Sequence, residues 1–458
     1  VMYAYGTLNY LEYSRTIFFL GDMASETMTT KSDASADNQD LNNWKVGNFK
    51  TNGSLENFFK YAFIGVNRAN AVIKKVPDAG FSQEQKDLFL GEAYFLRAWN
   101  YFNLVRNFGL VPLHKSVVET VDQTSTALAP DMDAMYDLIL SDCRRAAELL
   151  PVYETPKIGR ADRVAAQALA AKAYLYVASA KEHGVKLYRD MHRDATVMYD
   201  SAAYFAGEVI EKQSVYGFEN SLLDIYDVEK ARGKEHIFIM AMDRSGSSEG
   251  QYSKISKMFI PYIDGATLYL KQGDKDEYIP THDGWGEYQT TVAFYNTFDA
   301  SDKRKTELIV DKVYKADGTL LGEYPGKIPY PFCRKYIDPK FEGDKTSTRP
   351  FLLRFSDVAL IYAEAAGPTA KAYELVNFIR SRAGLGDMKP NLGKDEFRRE
   401  ILKERTFELA FEGDHVYDLR RWNRITTDVP EAAGLSEDQV TFYPIPQAEI
   451  NLNGSLRP

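Results

Sequence analysis

The sequence predicts a mainly α-helical protein: tetratricopeptide-like helical hairpins in an α-α superhelix, with an irregular, loop-rich lobe carrying short strands. Three observations predict it. Apolar residues recur at three- and four-residue spacing towards both ends of the chain. Alanines crowd the faces where successive helices would cross. Between residues 213 and 350 the helical period fades and Gly, Pro, Asp and Tyr take over.

Residues 55–75 place Leu55, Phe59, Ala62, Val66, Ala69 and Ile73 on one helical face, and Pro77, Asp78 and Gly80 end that helix. Ser82 reads as the N-cap of a longer helix through Asn107, stopped by Gly109 and Pro112. A helix over 131–150 closes at Pro151. Residues 163–180 put Val164, Ala168, Ala171, Leu175 and Ala178 on one face, and residues 199–211 answer with Tyr199, Ala203, Ala206 and Ile210. Small residues on both partners let helix axes approach closely. Helices over 352–366 and 370–382 repeat the arrangement, and one over 395–422 ends the set. Within the lobe, residues 236–242 (HIFIMAM) read as a buried strand. Residues 22–54 read as a long polar loop. The predicted organisation is an N-terminal helical part over 1–212, the lobe over 213–350 and a C-terminal helical part over 351–458, packed as one unit.

Composition excludes several functions. The 458 residues carry a formal net charge of −9 with no basic stripe, which argues against a nucleic-acid partner. No stretch is apolar for long enough to span a bilayer. The opening VMYAYGTLNYLEYSRTIFFLGD lacks an initiating Met and reads as the middle of an element, so a processed or trimmed start is expected. Cys143 and Cys333 fit either one disulfide or two buried thiols. The six histidines show no paired metal-ligand spacing, and no Gly-rich phosphate loop or G-x-S-x-G elbow is present. Asp33, Asp37 and Asp40 lack the EF-hand pattern and read as a solvated loop, with calcium as the weaker option. Neither a catalytic residue nor a cofactor is expected.

Glu404, Glu408 and Glu412 lie four apart, so on a continuous helix their carboxylates line one face. Such a ladder could hold a metal or share a proton. The better reading is an ion-pair network with the nearby arginines, among them Arg405, one turn from Glu408. Glu92 and Arg97 sit in an apolar helix, five residues apart and unable to pair with each other, so each needs a distant partner. The charged C-terminal helix is the expected source.

Tyrosine is as frequent as glycine, 30 of each. Most tyrosines are expected to pack helices. Aromatic residues in polar loops are the exception, because they lack core neighbours and can serve a ligand. Trp44 lies in the loop over 22–54, and Trp285 and Tyr288 lie in DGWGEYQTT with Tyr278 and Tyr295 close in sequence. Sugars suit such platforms, since their C–H faces are apolar and their hydroxyls bond to polar side chains. Trp99 and Trp422 fall on helices and are expected in the core.

Several motifs together resemble one family. GEAYFLRAWNYFNLVRNFGLVPL (91–113) resembles a signature of SusD/RagB-type nutrient-binding outer-membrane lipoproteins. ADRVAAQALAAKAYLY (161–176) resembles the family's alanine-rich helix, and GWGEYQTTVAFYNTFDASDKR (284–304) its loop ending in an Asp-x-Arg corner. RPFLLRFSDVALIYAEA (349–365) and LVNFIRSRAGL (375–385) resemble its Arg-Tyr-Ala-Asp and Asn-x-x-Arg-x-Arg helices, with Phe355 and Ser356 in the middle positions of the first. EILKERTFELAFEGDHVYDLRRW (400–422) resembles its Glu/Arg helix, with His415 where arginine is usual, and FYPIPQAEI (442–450) its Pro-Ile-Pro close. The lipidated cysteine of the family is not in this sequence, and the NLNGSLRP end departs from the usual Asn-Pro-rich tail.

The resemblance implies tetratricopeptide-type hairpins with an irregular lobe. It also implies a non-catalytic role: binding an oligosaccharide at the cell surface of a Bacteroidetes bacterium and delivering it to a SusC-like TonB-dependent transporter. Attachment to the outer membrane would be through an N-terminal lipid anchor. The shared motifs are scaffold motifs, so no binding residue carries over. Three alternatives stand beside this reading: a peptide-binding member of the same family, a helical-repeat adaptor for protein partners, and a glycoside hydrolase on a helical scaffold.

Overall fold

A computed structural model describes residues 1–456, and all of their side chains except those of Leu11 and Glu12. The last two residues of the NLNGSLRP end therefore lie outside the described residues.

Helices form at the periodic segments, and side-chain caps start those of the N-terminal part. Asn52 accepts from the Ser54 and Leu55 amides to start Gly53–Lys75. Ser82 and Gln85 make a reciprocal capping box ahead of Gln83–Phe108, which Gly109 ends at φ +68°. Asp131 and Asp162 cap Met132–Leu149 and Arg163–Glu182. Asp194 caps the next helix, which starts before residue 199 and runs Ala195–Glu211. These five helices pack each against the next. The chain then leaves the superhelix, builds the lobe and returns with Phe355–Ala366, which packs on Ala195–Glu211, Ala370–Arg382 and Lys394–Glu408. The fold is the mainly α, hairpin-repeat architecture with a loop-rich lobe.

The lobe holds a four-stranded antiparallel sheet in the order Tyr278–Thr281, Leu268–Lys271, Lys312–Tyr314, Leu320–Glu323. Its inner face covers a small core of its own that includes Ile260, Leu268, Leu270, Val313 and Phe332. His236–Ile239 is a fully buried strand, as its sequence predicts. The largest core links residues from the N-terminal helices, the lobe and the C-terminal helices.

Three segments differ from the sequence reading. Residues 22–54 are not a polar loop: they contain the strand Met28–Thr30, the helix Ala36–Asn42 and the 3-10 turn Val46–Thr51. The strand pairs with Tyr288–Thr290, a partner over 250 positions away that no local pattern reveals. The helix expected from 352 starts at Phe355, because Phe351–Arg354 is a strand paired with His236–Ile239. A short apolar run has no period that separates strand from helix, and the buried backbone of His236–Ile239 needs that partner.

The helix expected over 395–422 breaks after Glu408 and resumes as His415–Arg421. Phe411 (φ +66°) and Gly413 (φ +80°) turn the chain, and the Gly413 amide donates to Asp22 Oδ2 at 2.6 Å. A Cβ on Gly21 would lie 2.0 Å from the Gly413 carbonyl oxygen, so this crossing requires glycine.

Candidate functional site

The carboxylates Glu404 and Glu408 on the C-terminal helix are buried and ion-paired. Glu404 receives Arg304 at 2.5 Å and Arg380 at 3.0 Å. Glu408, 1% exposed, receives Arg354 at 3.0 Å and Arg382 at 2.8 Å. Glu412 receives Lys335 at 2.6 Å, Arg354 at 2.7 Å and the Tyr226 hydroxyl at 2.9 Å. Glu412 reaches this cluster from the turn after the helix rather than from a helical ladder. Its cations come from distant segments, not from the neighbouring arginines. Arg405 points away and holds Asp357 at 2.8 Å and Asp418 at 2.7 Å. Burial alone would raise the Glu408 carboxyl, but Arg382, Arg354 and Arg304 outweigh it and hold the group far below the usual carboxylate range.

Glu92 and Arg97 also find partners elsewhere than expected. Arg160 makes a bidentate contact to Glu92 at 2.6 Å, and Arg97 a bidentate contact to Asp142 at 2.7 and 2.8 Å. Both partners lie on the adjacent hairpin rather than on the C-terminal helix. Cys143 and Cys333 are separate buried thiols. Trp99 and Trp422 are buried.

The loop aromatics separate into buried and presented residues. Trp44 is 3% exposed; its indole stacks on Tyr443 and its Nε1 donates to the Ala24 carbonyl at 3.1 Å. Tyr288 is fully buried among Phe18, Phe19 and Phe259, because the strand Tyr288–Thr290 alternates and turns it inward. Neither can be a ligand platform. Both segments are polar in sequence, and their covers are supplied by remote parts of the chain. Tyr278, half-buried, packs on Tyr314, while Tyr295 donates to Asp311 at 3.0 Å under the Lys305 ammonium. Among the described residues neither ring contacts Trp285.

Trp285 is 38% exposed on a loop that is held rigidly. The amides of Gly284, Trp285 and Gly286 donate to the carbonyls of Pro261, Lys257 and Ile260 at 3.0, 2.7 and 2.9 Å. A Cβ on Gly284 would fall 1.9 Å from the Ile260 oxygen, and Gly286 adopts φ +64°, so both glycines are needed for the close approach. The loop thus lies flat on the 257–261 backbone and projects one indole into solvent. The ammoniums of Lys254 and Lys257 sit 5.7 and 5.5 Å from the indole centroid, and Lys254 and Lys345 both lie over the Tyr252 ring. Asp344 holds Lys257 at 2.5 Å. The sequence reading missed Lys254, Lys257, Lys345 and Tyr252; their one trace is the Lys-x-x-Lys spacing of 254 and 257 on a short turn, a pattern too common to stand out.

Comparison with known proteins adds to this geometry. Residues 314–440 match a family model described as SusD family, and residues 8–175 match one described as starch-binding, associating with the outer membrane. SusD-like protein P2 of Formosa agariphila is 26% identical over 97% of this chain and 86% of its own length. Over these segments the chain is SusD-like. Among solved structures, a SusD superfamily protein from Parabacteroides distasonis superposes with TM-score 0.78 at 20% identity, covering 99% of this chain and 97% of that one. A laminarin binding SusD-like protein superposes with TM-score 0.77 at 24% identity, covering 99% and 98%. These likenesses confirm that the helical hairpins and the lobe form the SusD fold. The family motifs lie on scaffold: Glu92, Arg97, Arg304, Arg354, Arg382 and Glu408 are all buried.

Proposed function

We propose that this SusD-like protein captures an oligosaccharide at a bacterial cell surface through Trp285 and delivers it, unmodified, to a SusC-like TonB-dependent transporter. The observation that carries the reading is the exposed indole of Trp285, carried on a loop whose backbone is held by three hydrogen bonds. A loop held before binding loses little conformational freedom when a sugar ring stacks on its aromatic side chain. A structural relative that binds laminarin supports a glycan as the ligand class. Half-buried Tyr278 and Tyr295 extend the aromatic surface of the same lobe and are secondary candidates. Attachment to the outer membrane through a lipid anchor completes this proposal.

A non-catalytic role accords with how the carboxylates are used. Glu404, Glu408 and Glu412 are committed to guanidinium and ammonium partners, which leaves none of them free as an acid or base. Affinity electrophoresis in gels containing laminarin, xylan or polygalacturonate tests the proposal. Retardation in at least one glycan, lost in Trp285→Ala, is expected. No retardation in any of them, or retardation unchanged by Trp285→Ala, would refute it. Release of reducing ends that stops on a carboxylate substitution would refute the non-catalytic part.

A further inference from the structure

We infer that the glycan taken by the Trp285 platform is anionic, carrying carboxylate or sulfate groups read by Lys254 and Lys257; this rests on the platform being a glycan site.

Two ammoniums stand at the indole of a chain that is acidic overall. The protein carries a formal net charge of −9, yet Lys254 and Lys257 stand at the Trp285 ring and Lys254 and Lys345 at the Tyr252 ring, with Arg15 joined to Lys254 through Glu249. Two carboxylates, Glu249 and Asp344, lie within ion-pair distance of three of these cations, Arg15, Lys254 and Lys257, among the described residues. Both are already engaged: Glu249 pairs most closely with Arg15, and Asp344 with Lys257. The other acidic groups of the loop have hydrogen-bond partners outside this cluster. Asp283 accepts from the Gly265 amide at 2.9 Å, and Glu287 accepts from Asn38 at 2.7 Å and faces Lys31 at 3.6 Å.

Lys254 is the most loosely held of these cations. Its ammonium stands 3.7 Å from Glu249 and 3.9 Å from Asp344, beyond hydrogen-bond range of either, and it donates no hydrogen bond among the described residues. Its side chain is 21% exposed and lies over both the Tyr252 and Trp285 rings. An ammonium has three donors and seeks acceptors for them. A neutral sugar would offer only hydroxyls. A uronate or sulfate ester on a residue stacked against Trp285 would bring oxygens with full negative charge beside this ammonium, and charge-assisted hydrogen bonds are the stronger kind. The lysine stems also form part of the surface next to the indole, so one arrangement supplies both the apolar and the ionic contact.

The test is calorimetric titration of the intact chain with hexagalacturonate and with laminarihexaose, at low and high sodium chloride. The wild type is expected to bind hexagalacturonate about tenfold more tightly than laminarihexaose at low salt, and high salt should erase most of that preference. Lys254→Gln should reduce the preference about fivefold, and Lys254→Arg should restore most of it. Circular dichroism confirms that each variant is folded. Equal or tighter binding of laminarihexaose, abolished by Trp285→Ala, would overturn the anionic assignment while leaving the glycan platform intact. A preference for hexagalacturonate that neither salt nor Lys254→Gln alters would also overturn it. Absence of binding to both probes would overturn the anionic assignment, and the platform falls with it where the affinity gels also show no retardation.

Discussion

Glu408→Gln removes one charge from a balanced buried cluster. On the cationic side stand Arg304, Arg354, Arg380, Arg382 and Lys335; on the anionic side stand Glu235, Asp302, Glu404, Glu408 and Glu412. Glu408 is central, touching Arg304, Arg354 and Arg382. Glutamine keeps the shape and one acceptor, but it turns an NH2 group towards guanidinium donors and leaves a positive charge uncompensated. Removing one partner from a buried ion pair costs about 3–5 kcal/mol. Each arginine keeps another carboxylate: Arg304 keeps Asp302, Arg354 keeps Glu412 and Arg382 keeps Glu235. The lower end, about 3 kcal/mol, is therefore expected.

Urea denaturation followed by circular dichroism reads this loss, provided wild type and variant share the same denaturant slope. The pH dependence supplies an independent check. The folded Glu408 carboxyl lies far below its ordinary value of 4.5, so its contribution is complete above that pH and declines as pH falls below it. The gap between wild type and Glu408→Gln should hold at neutral pH and narrow in acid. A loss under about 1 kcal/mol at neutral pH, or a gap that widens in acid, would refute the view that these carboxylates are structural.

Further outcomes follow from single residues. Trp44→Ala and Trp285→Ala should separate cleanly: the first costs about 3–5 kcal/mol in urea denaturation because it empties a buried site, while the second leaves the unfolding midpoint near wild type and abolishes glycan retardation. His415 is buried, which lowers the affinity of its ring for a proton, but Glu26 at 2.7 Å prevails and raises its pKa to about 9. Its contribution is thus present below the ordinary value of 6.5 and lost as pH rises through about 9, so His415→Gln should flatten the alkaline decline in melting temperature. Burial raises the Cys143 thiol and pushes that of Cys333 up to about 12, so neither should react with an alkylating dye in the native protein at mildly alkaline pH and both should react in denaturant.

The sequence by itself determined the helical superhelix, because its signals are local. Ser82, Asp131 and Asp162 are caps that act within one turn, and the apolar spacing of 55–75 or the alanines of 163–180 act along a single helix. It also carried the SusD-like motifs, which are buried charges and packing faces that the fold requires. The tertiary structure alone decided which charged groups meet. Glu408 and Arg354 are 54 positions apart, and Arg354 meets Glu235 across 119. It alone decided which aromatic remained for a ligand. Trp44 and Trp285 occupy equally polar, loop-like sequence, yet Tyr443 and Ala24 close over the first while the 257–261 backbone lifts the second into solvent. Exposure depends on what the rest of the chain brings to a residue, and a linear pattern holds no record of neighbours hundreds of positions away.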